Sequence, residues 1–358
     1  RRRPYAAPIT YAKASTDFVR RPEYYNMHVV SGEWTYRWQP TATSRHEFSP
    51  LTVKYQFKSS TSEKYEDAVN KNLYLKVSMQ DYLIPTMRYT YTYTSPVKLR
   101  NPIRWETTIE ESGNITSLID LARGRGYDEK YKTWFKAPYA QFVRVETDFT
   151  KTWSLGPASK LVGHLNAGII YSYGNCDDAP TTELFYVGGA NSIRAFSMRE
   201  LGPGRLPDFI NKSRQLDYAW RNGDIKFVAN LEYRAPLFGN LEGALFLDAG
   251  NVWCLKSSLQ HSLDDYEDYS DTGGQTAQEQ YDYYEFLYDM MAFKPSEFFN
   301  DIALGTGIGL RYNLGFLVVR LDWGFALHFP YETEKSGYFN IPSFRRANTI
   351  HFAIGYPF

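Results

Sequence analysis

The sequence has little of what marks nucleic-acid-binding proteins and helical membrane proteins. Its 40 basic and 40 acidic side chains cancel, whereas nucleic acid requires a basic surface, so we expect no nucleic-acid partner. Its longest wholly apolar runs are only a few residues, far short of a transmembrane helix. Arg1-Arg2-Arg3-Pro4 leads into no apolar segment of a secretory signal, so we expect the numbering to begin inside a processed or truncated protein.

Motifs for catalysis and metal binding are also missing. The six histidines have no metal-ligand spacing, and no Gly-x-Ser-x-Gly, phosphate loop or zinc signature occurs. We therefore expect no enzyme, no cofactor and no metal site. The acidic, tyrosine-rich segment 264–285 lacks the ligand spacing of a calcium loop. We interpret it as a solvated surface loop, with a calcium site or a partner-binding surface as alternatives.

Aromatic side chains, by contrast, are abundant. They make up 17% of the chain, with 30 Tyr, 23 Phe and 8 Trp, although the mean hydropathy is polar at −0.48. The core of a soluble protein of this size would depend more on Leu, Ile and Val. Rings with a polar group suit membrane–water interfaces and the girdles of barrels.

Residues alternate between apolar and polar along most of the chain. In 317–327, one face is apolar and aromatic, and the other carries Arg320, Asp322 and Gly324. This period of two predicts strands with two different faces. Segments of 10–14 residues match a tilted membrane crossing, and charges on the second face suit a water-filled lumen. We therefore predict an all-β fold, a transmembrane antiparallel β-barrel, with a soluble β-protein as the alternative.

The pattern predicts thirteen strands in one sheet. Short turns such as 237–240 and 314–316 alternate with long loops, as in membrane barrels with periplasmic turns and outside loops. The rule fails at 83–85, too short for an outside loop, and at 59–71, too long for a turn. The long loops are 114–138, 174–223, 254–300 and 330–346. The strands are 9–19, 27–38, 48–58, 72–82, 86–95, 101–113, 139–153, 160–173, 224–236, 241–253, 301–314, 317–329 and 347–358.

The segment after strand 160–173 resembles a known signature. Phe185-Tyr186-Val187-Gly188-Gly189-Ala190-Asn191-Ser192-Ile193-Arg194-Ala195-Phe196 is similar to the loop motif of the BamA/TamA superfamily of outer-membrane insertases. That motif places a glycine pair before a Val-Arg-Gly-Phe/Tyr core, and Ala195 stands where it has glycine. Residues 230–239 and 243–253 resemble the two strands after the loop. The likeness covers about 185–358, and residues 1–184 are similar to TamL-type members with aromatic-rich barrels.

The resemblance implies a sixteen-stranded barrel in the outer membrane of a Gram-negative bacterium. The signature loop, 174–223, would fold into the lumen, and 254–300 would be an extracellular loop. Five predicted strands follow the signature loop, as in the family, but only eight precede it. Residues 1–358 would therefore be about 13 of 16 strands, the C-terminal part of a larger protein, without three strands and the POTRA repeats. Thirteen strands alone would leave unpaired edges in lipid.

The resemblance also implies how the loop is held. Arg194 would dock on the inner wall, and the parity of the wall strands agrees, since Phe246 and Asp248 share a face opposite Leu245. A guanidinium between two carboxylates and a ring gives bidentate and cation–π contacts. A generic network of lumen charges is the alternative. The docking motif comprises Gly188, Gly189, Ile193, Arg194, Ala195 and Phe196, and the wall partners are Glu232, Phe246 and Asp248.

The two cysteines lie at the starts of two outside loops. Cys176 begins the signature loop and Cys254 begins the 254–300 loop. In an oxidising compartment a disulfide would join the loops. Two unpaired thiols are the alternative, because position along the chain does not fix the distance between the sulfur atoms.

The implied function is assembly and insertion of outer-membrane proteins, in a TamL-like protein. The last strand, 347–358, would form one side of a lateral seam and carry a terminal signal of Phe352, Tyr356 and Phe358. Expected partners are outer-membrane lipids, nascent outer-membrane proteins, and a periplasmic TamB-like protein or outer-membrane lipoproteins. The alternatives are a two-partner-type secretion pore of the same superfamily and a passive porin or transporter.

Overall fold

The computed structural model describes residues 7–70, 80–96, 98–207, 221–256, 259 and 275–358. Twelve antiparallel strands form one sheet in chain order, each hydrogen-bonded to the next, and β6 and β7 form a separate small hairpin. The strands are β1 (Ile9–Arg21), β2 (Tyr25–Trp38), β3 (Ser44–Thr61), β4 (Tyr82–Thr94), β5 (Ile103–Ser112), β6 (Thr133–Trp134), β7 (Ala137–Pro138), β8 (Phe142–Ser154), β9 (Lys160–Ser172), β10 (Ile225–Phe238), β11 (Leu241–Trp253), β12 (Ala303–Asn313), β13 (Val318–His328) and β14 (Asn348–Ile354).

Helices occur in the connections between strands. They are α1 (Glu63–Asn70), α2 (Asn114–Ala122), α3 (Gln275–Met291) and α4 (Phe298–Asp301), the last preceded by a 3-10 turn, Pro295–Glu297. Within the ranges given above, no helix combines the length and apolarity needed to cross a membrane.

The predicted all-β antiparallel fold is confirmed, with one strand fewer in the sheet. β3 pairs directly with β4, from Ser44 opposite Tyr93 to Gln56 opposite Tyr82. The predicted strand 72–82 therefore does not stand between them and is wrong as a member of the sheet, although residues 71–79 lie outside the described residues. Seven strands precede the signature loop instead of eight, so the sheet provides twelve of the sixteen strands that the resemblance implies.

Without that strand, short turns and long loops alternate along the chain as expected for a membrane barrel. One end of the sheet, here called the turn end, has the connections 39–43, 95–102, 155–159, 239–240 and 314–317. The other, the loop end, has 22–24, 62–81, 113–141, 173–224, 254–302 and 329–347. Apart from 22–24, the longer connections all share one end. In outer-membrane barrels the long loops face the exterior.

The two faces of the sheet have the opposite polarity to those of a soluble protein, with apolar side chains outside and charged side chains inside. On β10 to β13 the outward side chains include Leu231, Leu245, Ile308 and Leu321, all exposed. Their neighbours on the inner face are charged and fully buried. They include Glu232, Asp248, Arg311, Arg320 and Asp322. Apolar side chains outside and ions inside are what a barrel wall in lipid requires.

The sheet has two edge strands, β1 and β14. β14 has seven residues and ends at Ile354, whereas the sequence predicted a strand to the terminus. Gly355 follows with φ +85°, a left-handed conformation that glycine adopts without strain. Its N–H donates to the carbonyl of Val318 at 2.7 Å, and the chain turns out of the sheet here.

Candidate functional site: the signature loop and the last strand

The signature motif begins with a tight glycine turn. Gly188 and Gly189 have φ of +93° and +91°. A Cβ on Gly188 would lie 2.1 Å from the carbonyl oxygen of Ser197, so no other residue fits there without a shift. The N–H of Gly189 donates to the carbonyl of Phe196 at 2.8 Å. The two ends of the motif are thus held together, with Arg194 on the segment between them.

Arg194 is fully buried against the inner wall. Its Nε and Nη2 donate to the two carboxylate oxygens of Asp248, each at 2.8 Å, and its backbone N–H donates to Asp248 at 2.9 Å. Its Nη1 donates to Glu232. The ring of Phe246 lies 3.6 Å from the guanidinium carbon. The structure therefore brings Arg194 together with all three wall partners, in a bidentate and cation–π geometry.

The ion cluster extends beyond the residues named from the motif. Glu232 also accepts from Arg234 at 2.6 Å and from Arg311 at 3.1 Å. Arg311 lies 2.6 Å from Asp322, which in turn pairs with Arg320 at 3.3 Å. Sequence reasoning did not name these arginines or Asp322 as site residues. Parity alone could have done so, because all four lie on the charged face of predicted strands.

Glycines on the inner wall make room for the motif. A Cβ on Gly324 would lie 2.3 Å from the carbonyl oxygen of Arg194, and one on Gly305 would lie 2.4 Å from the Cβ of Ala195. A Cβ on Gly307 would meet the Phe246 ring at 2.4 Å. Ala195 is buried at this contact. The extra methyl group, where the motif usually has glycine, is accommodated because position 305 has no side chain.

Apolar side chains of the motif fill the lumen above the ion cluster. Ile193 and Phe196 belong to a buried core that also includes Val187 and Leu201 of the loop. Phe196 meets Phe329 edge to face, with ring centroids 5.3 Å apart. Burial of such side chains is the main source of stability in a packed core. The loop is thus fixed by a dry contact as well as by ions.

The motif also contacts the last strand. The hydroxyl of Thr349, on β14, donates to the carbonyl of Ala195 at 3.1 Å. Asn191 accepts a hydrogen bond from Arg320 on β13. The loop therefore connects the wall strands β10 and β11 to the edge of the sheet.

The C-terminal residues lie in the lumen, so the predicted strand 347–358 is wrong in its last residues, because the strand ends at Ile354. Phe358 stacks on His164 of β9, with centroids 4.8 Å apart and planes within 2°. The hydroxyl of Tyr356 donates to Glu242 at 2.9 Å, and the guanidinium of Arg234 lies 4.5 Å from the Tyr356 ring. Phe352 remains on β14 and is exposed. Tyr356 and Phe358 thus pack on the inner wall, while Phe352 faces outward.

Both cysteines are free thiols, so the disulfide alternative is wrong and the alternative of two thiols holds. Cys176 lies in the lumen core, and its Sγ donates to the carbonyl of Tyr139 at 3.1 Å. Cys254 lies in a second core at the loop end, which contains Tyr25, Leu287 and Met291. Burial raises the pKa of Cys176 to about 12.

The acidic segment 264–285 is only partly described. Residues 264–274 lie outside the described residues. Residues 275–285 belong to α3, and Tyr281 and Tyr284 pack against the second core. The interpretation of 264–285 as a surface loop is therefore wrong for residues 275–285, which are helical.

A sheet with an apolar outer face, an ion cluster on its inner face and a loop folded against that cluster defines a membrane β-barrel. A family model described as the Omp85 superfamily domain matches residues 135–358. The chain belongs to the Omp85 superfamily. Membership of this superfamily implies an outer-membrane β-barrel.

A solved structure of this kind is similar in fold. BamA from Haemophilus ducreyi lacking POTRA domains 1–3 has a TM-score of 0.59 at 12% identity, covering 97% of this chain and 61% of that one. CdiB from Escherichia coli has a TM-score of 0.48 at 10% identity, covering 98% and 50%. The chain thus spans about three fifths of the BamA chain and half of the CdiB chain. No curated protein matches it. The described residues include no POTRA repeat, as expected.

Proposed function

We propose that this chain is the barrel of a TamL-like factor that assembles and inserts outer-membrane proteins through a lateral seam at β14. The observation that carries this proposal is the state of the last strand. β14 is short and pairs with β13 over seven residues. After Gly355 the chain leaves the sheet, and its last residues pack in the lumen. In the sixteen-stranded barrel that the resemblance implies, the other edge of β14 would meet the first strand, and a weak pairing between these two strands would form the seam.

An unpaired edge in lipid is unfavourable because its backbone N–H and C=O groups have no hydrogen-bond partners. A client strand that adds to this edge would satisfy them by β-augmentation. The inward turn at Gly355 leaves the end of β14 uncovered by the chain's own terminus. Nascent outer-membrane proteins are therefore the proposed clients.

The signature loop supports lateral action over transport through the lumen. Its buried motif packs on the inner wall through Arg194 and touches β14 through Thr349. We propose that the loop stabilises the wall and positions β14, the strand at the proposed seam. Surrounding lipids, a periplasmic TamB-like protein and outer-membrane lipoproteins are proposed as further partners.

A photocrosslinking experiment tests the seam. A photoreactive residue at Phe352, on β14, should give adducts with nascent barrel proteins, and one at Leu245, in the middle of the wall, should give none. The assay is run in cells in which depletion of the protein is shown to reduce its clients. No adduct at 352 under those conditions would contradict the proposal. An exported protein that crosslinks to position 164 in the lumen would favour a secretion pore, and a steady open-channel conductance in planar bilayers would favour a porin.

A further inference from the structure

We propose that residues 113–141, here called the rim segment, form a membrane anchor that binds phosphorylated lipids of the outer leaflet beside β3, β4 and β5. The rim segment contains α2 and the hairpin of β6 and β7, and it connects β5 to β8 at the loop end. This proposal depends on the membrane barrel and is independent of the seam, so the two can fail separately.

The helix α2 exposes its apolar face. Ile115, Leu118, Ile119 and Leu121 are exposed, whereas Thr116, Ser117 and Asp120 are buried. Asp120 accepts a hydrogen bond from the Trp134 indole at 3.1 Å. The polar side is therefore the side that packs on the protein. A helix with this arrangement is stable in water only if something else covers its apolar face.

The rim segment lies over the outer face of the wall. Lys54 and Gln56 of β3 point into the lumen, where they bond to Glu183 and Thr182 of the signature loop. Tyr55, between them, must point outward, and its hydroxyl donates to the carbonyl of Phe135 at 2.9 Å. The hairpin tip is thus on the lipid side of the barrel, and Phe135 itself is 77% exposed.

The start of the helix is fixed to the rim of the wall. Gly113 donates to the carbonyl of Pro85 on β4 at 3.0 Å, and a Cβ there would lie 2.5 Å from the carbonyl oxygen of Ala140. The helix therefore begins where the lipid-facing strands end. Its apolar face continues their apolar surface at the level of the membrane interface.

Charge indicates which lipid component is recognised. Although the whole chain is neutral, residues 123–136 contain five basic and two acidic side chains. Some of these cations bond within the protein, as Arg125 does to Glu129 and Lys130 to Asp177. Arg123 and Lys136 are exposed, and the Arg123 guanidinium lies over the Trp134 ring at 4.9 Å. Apolar side chains beside exposed cations match acyl chains beside phosphate, the pattern of interfacial amphipathic helices.

Depth-dependent quenching tests the anchor in the full chain. Single cysteines replace three residues of matched exposure: Leu118 in α2 at 59%, Leu245 on the wall at 58%, and Phe286 in α3 at 59%. Each is labelled with an environment-sensitive fluorophore at neutral pH, where the buried native thiols are shielded, and the protein is placed in phosphatidylcholine vesicles with phosphatidylglycerol. Labels at 118 and 245 should be quenched by spin-labelled acyl chains, and the label at 286 should not.

The lipid headgroup is tested in the same vesicles. Spin-labelled phosphatidylglycerol should quench the label at 118 more strongly than spin-labelled phosphatidylcholine. Arg123→Gln and Lys136→Gln should each reduce this preference by up to about fivefold. A label at 118 that stays as water-accessible as that at 286 would overturn the proposal. Shielding at 118 without lipid quenching, seen only when another envelope protein is added, would also overturn it and indicate a protein partner.

Discussion

The inner walls of the two halves of the sheet carry the same kinds of charged side chain, but the ion pairs differ in their exposure to the lumen. On the N-terminal half, ion pairs such as Arg37–Glu47 at 2.7 Å and Arg104–Asp148 at 3.3 Å stay partly exposed to the lumen. On the C-terminal half, the pairs of Arg194 and Arg311 are fully buried. The signature motif accounts for this difference, because it covers the wall around Arg194 and leaves pairs such as Arg37–Glu47 and Arg104–Asp148 exposed to the lumen.

The comparison shows that the strands alone do not decide how strong an ion pair is. A pair in contact with water contributes little, because water and salt screen it. A buried pair adds strong contacts but leaves an uncompensated charge when one partner is lost. The folded loop therefore turns an ordinary lumen charge pattern into a rigid contact.

Arg194→Ala should lower the free energy of unfolding by about 3–5 kcal/mol, because Asp248 would stay buried without its cation and Glu232 would lose one of its three arginine partners. The measurement is urea unfolding in lipid vesicles, together with protease sensitivity of the 174–223 loop. Arg104→Ala is the control from the wet half, where a cost of about 0–1 kcal/mol is expected. Equal effects of the two variants would remove the distinction between the halves.

Ile308→Arg tests the outer face of the buried half. A charge facing hydrocarbon near mid-bilayer should destabilise the barrel by about 2–4 kcal/mol. Phe286→Arg, at an exposed position on α3 in a loop, should change stability by no more than about 0.5 kcal/mol. Both are measured by unfolding in vesicles. Unchanged stability of Ile308→Arg would mean that this face does not contact lipid.

Gly324→Ala tests the close approach of the loop to the wall. The new methyl group would meet the carbonyl of Arg194, so we expect a cost of about 1–3 kcal/mol and faster proteolysis of the loop. Gly32→Ala in β2 is the matched control, since no atom lies within 4 Å of its Cβ position. Protease sensitivity of the two variants is compared with the parent. A loop as protected in Gly324→Ala as in Gly32→Ala would contradict the close contact.

The reactivity of the two native thiols tests the packing of the lumen core and of the second core without any substitution. Burial raises the pKa of Cys176 in the lumen core to about 12 and that of Cys254 in the second core well above its usual value. At about pH 9, where an ordinary thiol is largely ionised, the folded protein should react slowly with iodoacetamide and the unfolded protein quickly. An oxidant should produce no disulfide. Rapid alkylation of folded Cys176 would indicate that the lumen core opens.

The sequence could predict much of this site because its information is local. A period of two assigns Leu245 and Asp248 to opposite faces whatever the neighbouring strands do. The resemblance of the motif around Arg194 predicted the docked loop and its three wall partners, and the structure brings these residues together. Other features depend on partners distant in the chain. Neither the direct pairing of β3 with β4 nor the packing of Phe358 on His164 has a local signal.

Three features can be read from neighbouring residues alone: the alternation of the strands, the neutral and aromatic-rich composition, and the motif that carries Arg194. These follow from the chemistry of adjacent residues. Three others depend on how distant segments pack: the number of strands in the sheet, the placement of Cys176 and Cys254 in different cores, and the outward direction of the apolar side of α2. The reason is physical: burial and pairing depend on which distant segments meet, and one inward turn at Gly355 moves Phe358 from an expected strand end to the inner wall.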